Sequence, residues 1–256
     1  MISSNQNPLI KNIVRLRKTR SRKQQDLVII DGLREILVAF DYGFEFVEII
    51  HCPELSSETW SQAPLEPITV TTPVFSKIAY ADNPNGWLAL VRPRYQQLSD
   101  LKMKANPLIL VLEAVEKPGN LGAMLRTAYA AKVDAVILNK LQTDLYNPNV
   151  IKASSGHVFS DQVVIADVEE TWAWLKDHGV RIFATNIKAA KNYTQVDWSS
   201  SAAIVMGTEA SGLSDFWKKK ADENIIIPMQ SGIDSLNVSV SAAVLVFEAR
   251  RQRDLK

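Results

Sequence analysis

From residue 108 onward, short uninterrupted apolar runs alternate with stretches of helical length, and no other feature restricts the fold as strongly. Strand candidates fall at 108–114, 134–139, 161–166, 181–185, 202–206 and 224–228. Helix candidates fall at 120–132, 149–155, 169–178, 214–220 and 236–251. A strand that is apolar throughout must be covered on both faces, so the order predicts an α/β fold with a parallel sheet between helices. In such sheets ligands bind beyond the carboxyl ends of the strands, in the loops that lead into helices. Three loops at such positions are rich in Gly, Asn, Ser and Glu: "EKPGNLGAMLRTA", "MGTEASGLS" and "PMQSGIDSLN".

The first ninety residues read as a smaller α/β unit. Strands are expected at 27–31, 47–52 and 86–92, with helices over 32–42 and 73–80. Ahead of them, Leu9, Ile13 and Leu16 recur at helical spacing, while Lys11, Arg15, Lys18 and Arg22 recur at spacings of 4, 3 and 4. One helix, apolar on one side and basic on the other, is the expectation. Residues 1–25 hold seven basic and no acidic residues, so with a net charge of +1 the remaining chain is six charges negative. "PRYQQLSDLKMKANP" has Pro at both ends and little apolar periodicity, which makes 96–107 a linker between a domain at 1–95 and a domain at 108–256.

Several chemistries are excluded. No apolar run is long enough to span a bilayer, and the first residues lack the apolar core of a secretory signal. The single cysteine, Cys52, excludes an internal disulfide and fits a reducing cytoplasm. His51, His157 and His178 are scattered, so no metal-ligand pattern exists. The phosphate loop GxxxxGK[ST], the dinucleotide fingerprint GxGxxG and the nucleophile elbow GxSxG are absent. Gly119 to Gly122 matches the GxxG of a KH domain, but it follows a strand inside a βαβ series.

Taken one at a time, the polar residues of the three loops have ordinary explanations. Asn120 is placed to cap a helix beginning at Leu121, and Ser235 or Asn237 to cap the last helix. Arg126 is a helical arginine among apolar neighbours, and such side chains usually snorkel to solvent. Glu209 lies between Gly207 and Gly212, which let the backbone turn closely around it.

Together they form a pattern. "NLGAMLRTA" (120–128), "VMGTEASGLS" (205–214) and "IPMQSGIDSLNVSVSAAVLVFE" (227–248) resemble, in order and spacing, the three motifs of the SpoU/TrmH family of SPOUT-class RNA 2′-O-ribose methyltransferases. "NPNVIKASSGHVF" (147–159) resembles the family's segment between the first two motifs, and the likeness covers about 108–250. Two local departures stand out: "EKPGNLG" lacks the Asp-Pro pair that commonly precedes Gly-Asn, and "GTEASGLS" lacks the usual Asn before and Gly after the Glu.

The resemblance implies a parallel α/β sheet with a deep C-terminal trefoil knot, a homodimer formed through that domain, and S-adenosylmethionine as cofactor. Knots are too rare for periodicity to foresee one. Thr185, Gly207, Ile227, Met229 and Leu236 match cofactor-holding positions. Asn120, Arg126, Glu209, Ser235 and Asn237 match the functional polar positions. The expected reaction is attack of an RNA 2′-OH on the cofactor's methyl group. The family's base would be Arg126, although a guanidinium with a pKa above about 12 is almost always charged. A clamp on the neighbouring phosphate is the other role open to it. The N-terminal unit resembles an L30e-like RNA-binding domain, which makes Lys11, Arg15, Lys18, Arg20 and Arg22 candidates for phosphate contact. Structured RNA is the expected partner, ribosomal before transfer RNA, with no membrane and no metal. A transfer-RNA enzyme, or a non-catalytic RNA-binding protein of the same fold, is the alternative. Five retained polar positions weigh against the latter.

Overall fold

The computed structural model describes residues 1–254, apart from 81–82, 190, 209–211 and 233–234. The chain forms two compact units, Met1–Arg94 with Tyr146–Ser160, and Tyr95–Leu145 with Asp161–Lys256.

The first unit opens with two helices where one was expected, α1 (Pro8–Arg15) and α2 (Thr19–Gln25). Asn7 starts α1 by accepting a hydrogen bond from the Leu9 amide (2.9 Å), and Pro8 follows at the first helical position. Lys18 is extended, which breaks the run before α2. Then come β1 (Val28–Asp31), α3 (Leu33–Asp41), β2 (Phe46–His51), β3 (Ile68–Thr69), α4 (Thr72–Ile78) and β4 (Trp87–Val91). The sheet order is β1-β4-β2-β3, antiparallel except for β2 with β3. Ile10, Ile13 and Leu16 are fully buried and share a core with Val74, Phe75, Ile78 and Leu88.

In the second unit the strands are β5 (Leu108–Glu113), β6 (Ala135–Asn139), β7 (Val163–Ile165), β8 (Arg181–Thr185), β9 (Lys191–Asn192), β10 (Ala202–Met206) and β11 (Glu223–Ile226). The helices here are α5 (Pro118–Ala130), α7 (Val168–Asp177), α8 (Asp215–Lys220) and α9 (Val238–Asp254). The sheet runs β7-β6-β5-β10-β8-β11-β9 with every pair parallel. All residues of β5 and β10 are buried, which is why those strands read as unbroken apolar runs. Strand order reverses at β5 and β10, where the crevice of a parallel sheet lies.

Between β6 and β7, residues 146–160 with α6 (Pro148–Ala153) belong to the first unit. They pack on α3. The Lys152 ammonium pairs with the buried Glu35 carboxylate at 3.3 Å, and Phe159 meets the Phe44 ring edge-on at 4.9 Å. Gly156, at φ +85°, lies where a Cβ would come within 2.9 Å of the Val38 side chain. Residues 96–107, expected as a linker, lie with the second unit. Leu98 is buried in its core, and Gln96 bridges to Val164.

Candidate functional site

The loop after β10 is shaped by backbone. Thr208 and Gly212 exchange amide-to-carbonyl hydrogen bonds of 3.2 and 3.1 Å, an antiparallel bridge that holds these two residues together. Gly212 takes φ +65°, and a Cβ on Gly207 would sit 2.2 Å from the Gly212 carbonyl. Only a glycine fits at 207. Glu209 lies outside the described residues. Past Gly212 the chain is held by Glu113, the buried last residue of β5. Its carboxylate accepts the Ser214 amide (2.8 Å) and pairs with Lys140 (3.3 Å). Sequence reading missed Glu113, although a carboxylate closing an otherwise apolar strand is the signal that marks it.

At the carboxyl ends of β8, β10 and β11 lies a cavity of about 640 Å³. Thr185, Gly207, Ile227, Met229 and Leu236 all line it, brought together from three separate stretches of chain. The Thr185 hydroxyl donates to the Val205 carbonyl (3.1 Å), which secures the end of β8 against β10. The sequence did not single out Val238, Ser241 and Leu245, which wall the cavity from α9. They recur at i, i+3 and i+7, a helical period in a stretch whose Val-Ser alternation imitates a strand. Lys188, Asp215 and Lys218 add charge to the lining. The volume is that of a ligand site, apolar with a few polar groups. The close Gly207–Gly212 approach makes part of its wall a bare backbone surface.

The loop after β11 supplies Ile227 and Met229 to the cavity, and Asp222 secures that strand's start. Its carboxylate accepts the Ile182 amide (2.8 Å) and a hydrogen bond from Lys176 (2.8 Å). Burial pushes the Asp222 carboxyl up, but these two bonds and the charges of Lys176 and Arg181 outweigh it and bring it below the ordinary aspartate value.

The polar candidates separate into two groups. Asn120 is not the helix cap that the sequence suggested. The helix α5 begins at Pro118, so Asn120 sits in its first turn. There its side-chain oxygen accepts a hydrogen bond from the Asn237 amide group at 3.2 Å. Asn237 is the cap of α9, accepting the Ser239 amide (2.9 Å) on its own oxygen. It also lies between Leu236 and Val238, both on the cavity wall, and Ser235 lines the same cavity. Arg126 stands apart. It is exposed, six residues along α5 from Asn120, which rotates it about 240° around the helix. It forms no hydrogen bond or ion pair with Asn120, Ser235, Asn237 or any other described residue. The face of α9 bearing Val240 and Phe247, each 49% exposed, leaves an apolar stripe uncovered.

Of the proposed phosphate contacts in the first unit, Lys11, Arg15, Lys18 and Arg20 are exposed, and Arg22 is a correction. Arg22 is 4% exposed, and its guanidinium donates to the carbonyls of Leu16 and Arg17 (2.9 Å each) and to the Thr19 hydroxyl (3.0 Å). It closes the end of α1, because the break at Lys18 turns α2's side chains onto that end. Among the described residues no group of three His, Cys, Asp or Glu side chains could hold a metal, and no helix is long and apolar enough to cross a membrane.

The sequence profile of the SpoU rRNA Methylase family matches residues 107–247, and that of the MRM3-like substrate binding domain matches residues 7–89. The chain is 27% identical to the 23S rRNA (guanosine(2553)-2′-O)-methyltransferase RlmP of Bacillus subtilis over 97% of this chain and 98% of that one. It is 37% identical to the 23S rRNA (guanosine-2′-O-)-methyltransferase RlmB of Vibrio vulnificus, over 68% and 73%. An AdoMet-bound rRNA methyltransferase structure from Sinorhizobium meliloti superposes with a TM-score of 0.87 at 29% identity, covering 98% of this chain and 97% of that one.

Proposed function

We infer, because this chain belongs to the SpoU rRNA methylase family, that it transfers a methyl group from S-adenosylmethionine to a ribose 2′-hydroxyl of ribosomal RNA. The observation that carries this reading is the meeting of Thr185, Gly207, Ile227, Met229 and Leu236 around one cavity at the carboxyl end of the parallel sheet. Backbone at Gly207, Ile227 and Met229 and the side chain of Leu236 hold the cofactor there. S-adenosylmethionine supplies an electrophilic methyl group on a sulfonium.

The chain's own residues do the rest. The Asn120–Asn237 bond keeps the 235–237 loop and the start of α9 in register, so that Ser235 and Asn237 face the ribose. Arg126 either clamps the phosphate beside the target ribose or helps the hydroxyl lose its proton. The clamp is favoured, since a guanidinium stays charged. Because Arg126 is exposed and away from the Asn pair, it serves the site of a second subunit. Homodimer formation on the exposed Val240–Phe247 stripe of α9 brings it there. Glu209 completes the polar set. The C-terminal segment is threaded as a trefoil knot. Residues 1–95 are the L30e-like RNA-binding domain, with Lys11, Arg15, Lys18 and Arg20 on backbone phosphates. The enzyme works in the cytoplasm, and its buried free Cys52 suits that reducing compartment.

Incubation with methyl-labelled S-adenosylmethionine and deproteinised ribosomal RNA tests the reading. Label is expected at a ribose 2′-oxygen, and Arg126→Ala is expected to lower turnover about 100-fold or more with cofactor affinity kept. Label in transfer RNA alone would move the substrate, and no label with no stabilisation by the cofactor would leave a non-catalytic RNA-binding protein.

A further inference from the structure

We propose that the amino-terminal end of the seven-stranded sheet carries a second anion site, which takes a backbone phosphate of the bound RNA. The proposal rests on the RNA-methyltransferase reading above. The site is a cavity of about 380 Å³ with Lys104, Lys132, Asp134, Ser199, Arg250 and Arg253 in its lining. Leu108, the first residue of β5, also lines it, so it opens at the strand starts, opposite the cofactor cavity. At about 3.3 Å per residue, strands of five or six residues set the two some 15–20 Å apart.

Charge in this cavity is unbalanced. Lys104 pairs with Asp134 and Arg250 with Asp254, each at 2.8 Å. That leaves Lys132 and Arg253. Lys132 is exposed, and its ammonium forms no hydrogen bond or ion pair with another described residue. Arg253 donates to the carbonyls of Asn106 (2.6 Å), Pro107 (3.2 Å) and Ser200 (2.6 Å), none of which carries a charge. Its Nε is buried and has no partner among the described residues. Burial works against the Arg253 charge and brings its pKa down, with Asp134 opposing and Arg250 adding to the effect. An anion in the cavity relieves both groups.

The backbone at Lys132 points the same way. Lys132 takes φ +54° immediately past the end of α5, a position that glycine fills without strain. A lysine there places a charge on the rim at a conformational cost. A cation at a helix carboxyl end is also favourable by itself, and the variants below separate the two explanations. The positive groups are long side chains on an open cavity. That arrangement suits a polyanion already held elsewhere on the protein, which presents its phosphates at high local concentration.

The test uses Lys132→Gly, which removes the charge and the strain together, and Lys132→Glu, which reverses the charge. Binding of deproteinised ribosomal RNA is measured over a salt series, S-adenosylmethionine affinity by calorimetry, and melting temperature beside both. For Lys132→Gly we expect RNA binding weakened about threefold to fivefold and a salt slope shallower by about 0.7–0.9, the value of one phosphate contact. For Lys132→Glu we expect about tenfold weakening or more, with cofactor affinity unchanged in both and the glycine variant melting no lower than wild type. Unchanged RNA affinity and slope in both variants overturns the proposal. So does loss of inorganic phosphate binding by Lys132→Glu with RNA affinity intact, which makes the cavity a free-anion site. Wild-type protein that holds no ribosomal RNA sinks the functional reading itself, a result distinguishable from failure in the variants alone.

Discussion

The two ends of the seven-stranded sheet are built on different principles. At the carboxyl end the cavity's shape is set by backbone, with Gly207 against Gly212 where no side chain fits, and by apolar groups such as Met229, Leu236 and Leu245. At the amino end the cavity is framed by the ends of α5 and α9, and its character comes from charged side chains there, Lys132, Arg250 and Arg253. The difference suits a small cofactor at one end and the proposed RNA phosphate at the other. A small molecule is recognised by close contact, and a misplacement of a few tenths of an ångström matters. A polyanion is recognised by field, which falls off slowly and tolerates movement. The carboxyl end therefore responds to volume and hardly to salt, and the amino end to charge and salt.

Five substitutions at four positions can break or sharpen that contrast. Gly207→Ala forces a methyl group against the Gly212 carbonyl, so cofactor affinity is expected to fall about 100-fold, roughly 3 kcal/mol by calorimetry. A normal titration would mean the loop yields and backbone does not set the shape. Arg253→Ala strips three carbonyls of a charged donor at the amino end, and urea unfolding is expected to show a loss of about 2 kcal/mol. Cofactor affinity should hold, and a parallel loss would show the two ends to be coupled.

Asn237→Ala removes the cap of α9 and the bond to Asn120, costing about 1 kcal/mol of stability together with turnover. Asn237→Asp keeps the capping oxygen but not the donor to Asn120. It should retain stability and lose turnover, and equal turnover would remove the Asn pair from the mechanism. Asp222→Asn has the smallest effect and appears only in acid. The folded Asp222 carboxyl titrates below its ordinary value near 3.8, so its contribution is present above that pH and is lost as pH falls below it. Denaturation midpoints of wild type and variant should therefore converge in acid below the ordinary aspartate range and differ slightly at neutrality.

The strands and helices of the second unit, apart from the two-residue β9, were legible because each is a local pattern. β5 and β10 are apolar throughout since both faces are covered, and the loops after β10 and β11 announce themselves by Gly, Ser and Asn. Turn chemistry also spoke correctly at Gly207 and Gly212. Where local signals compete, the sequence misled. Pro118 fits the first position of a helix, so α5 starts before Asn120 and frees its side chain for Asn237. Nothing in "RLRKTRSR" marks the break at Lys18 that turns Arg22 inward.

The amino acids by themselves settled most strands and helices of the second unit, where the backbone must be glycine, and which polar residues the loops carry, but not the short strands β3 and β9 or the split between α1 and α2. Tertiary structure alone decided that β10 inserts between β5 and β8, that residues 146–160 pack on α3, and that Glu113 holds the chain at Ser214. It also gathered Lys132 and Arg253, 121 positions apart, into one cavity. The physical reason is range. Period and propensity act over a few residues, whereas burial and charge act between whichever residues the folded chain brings together.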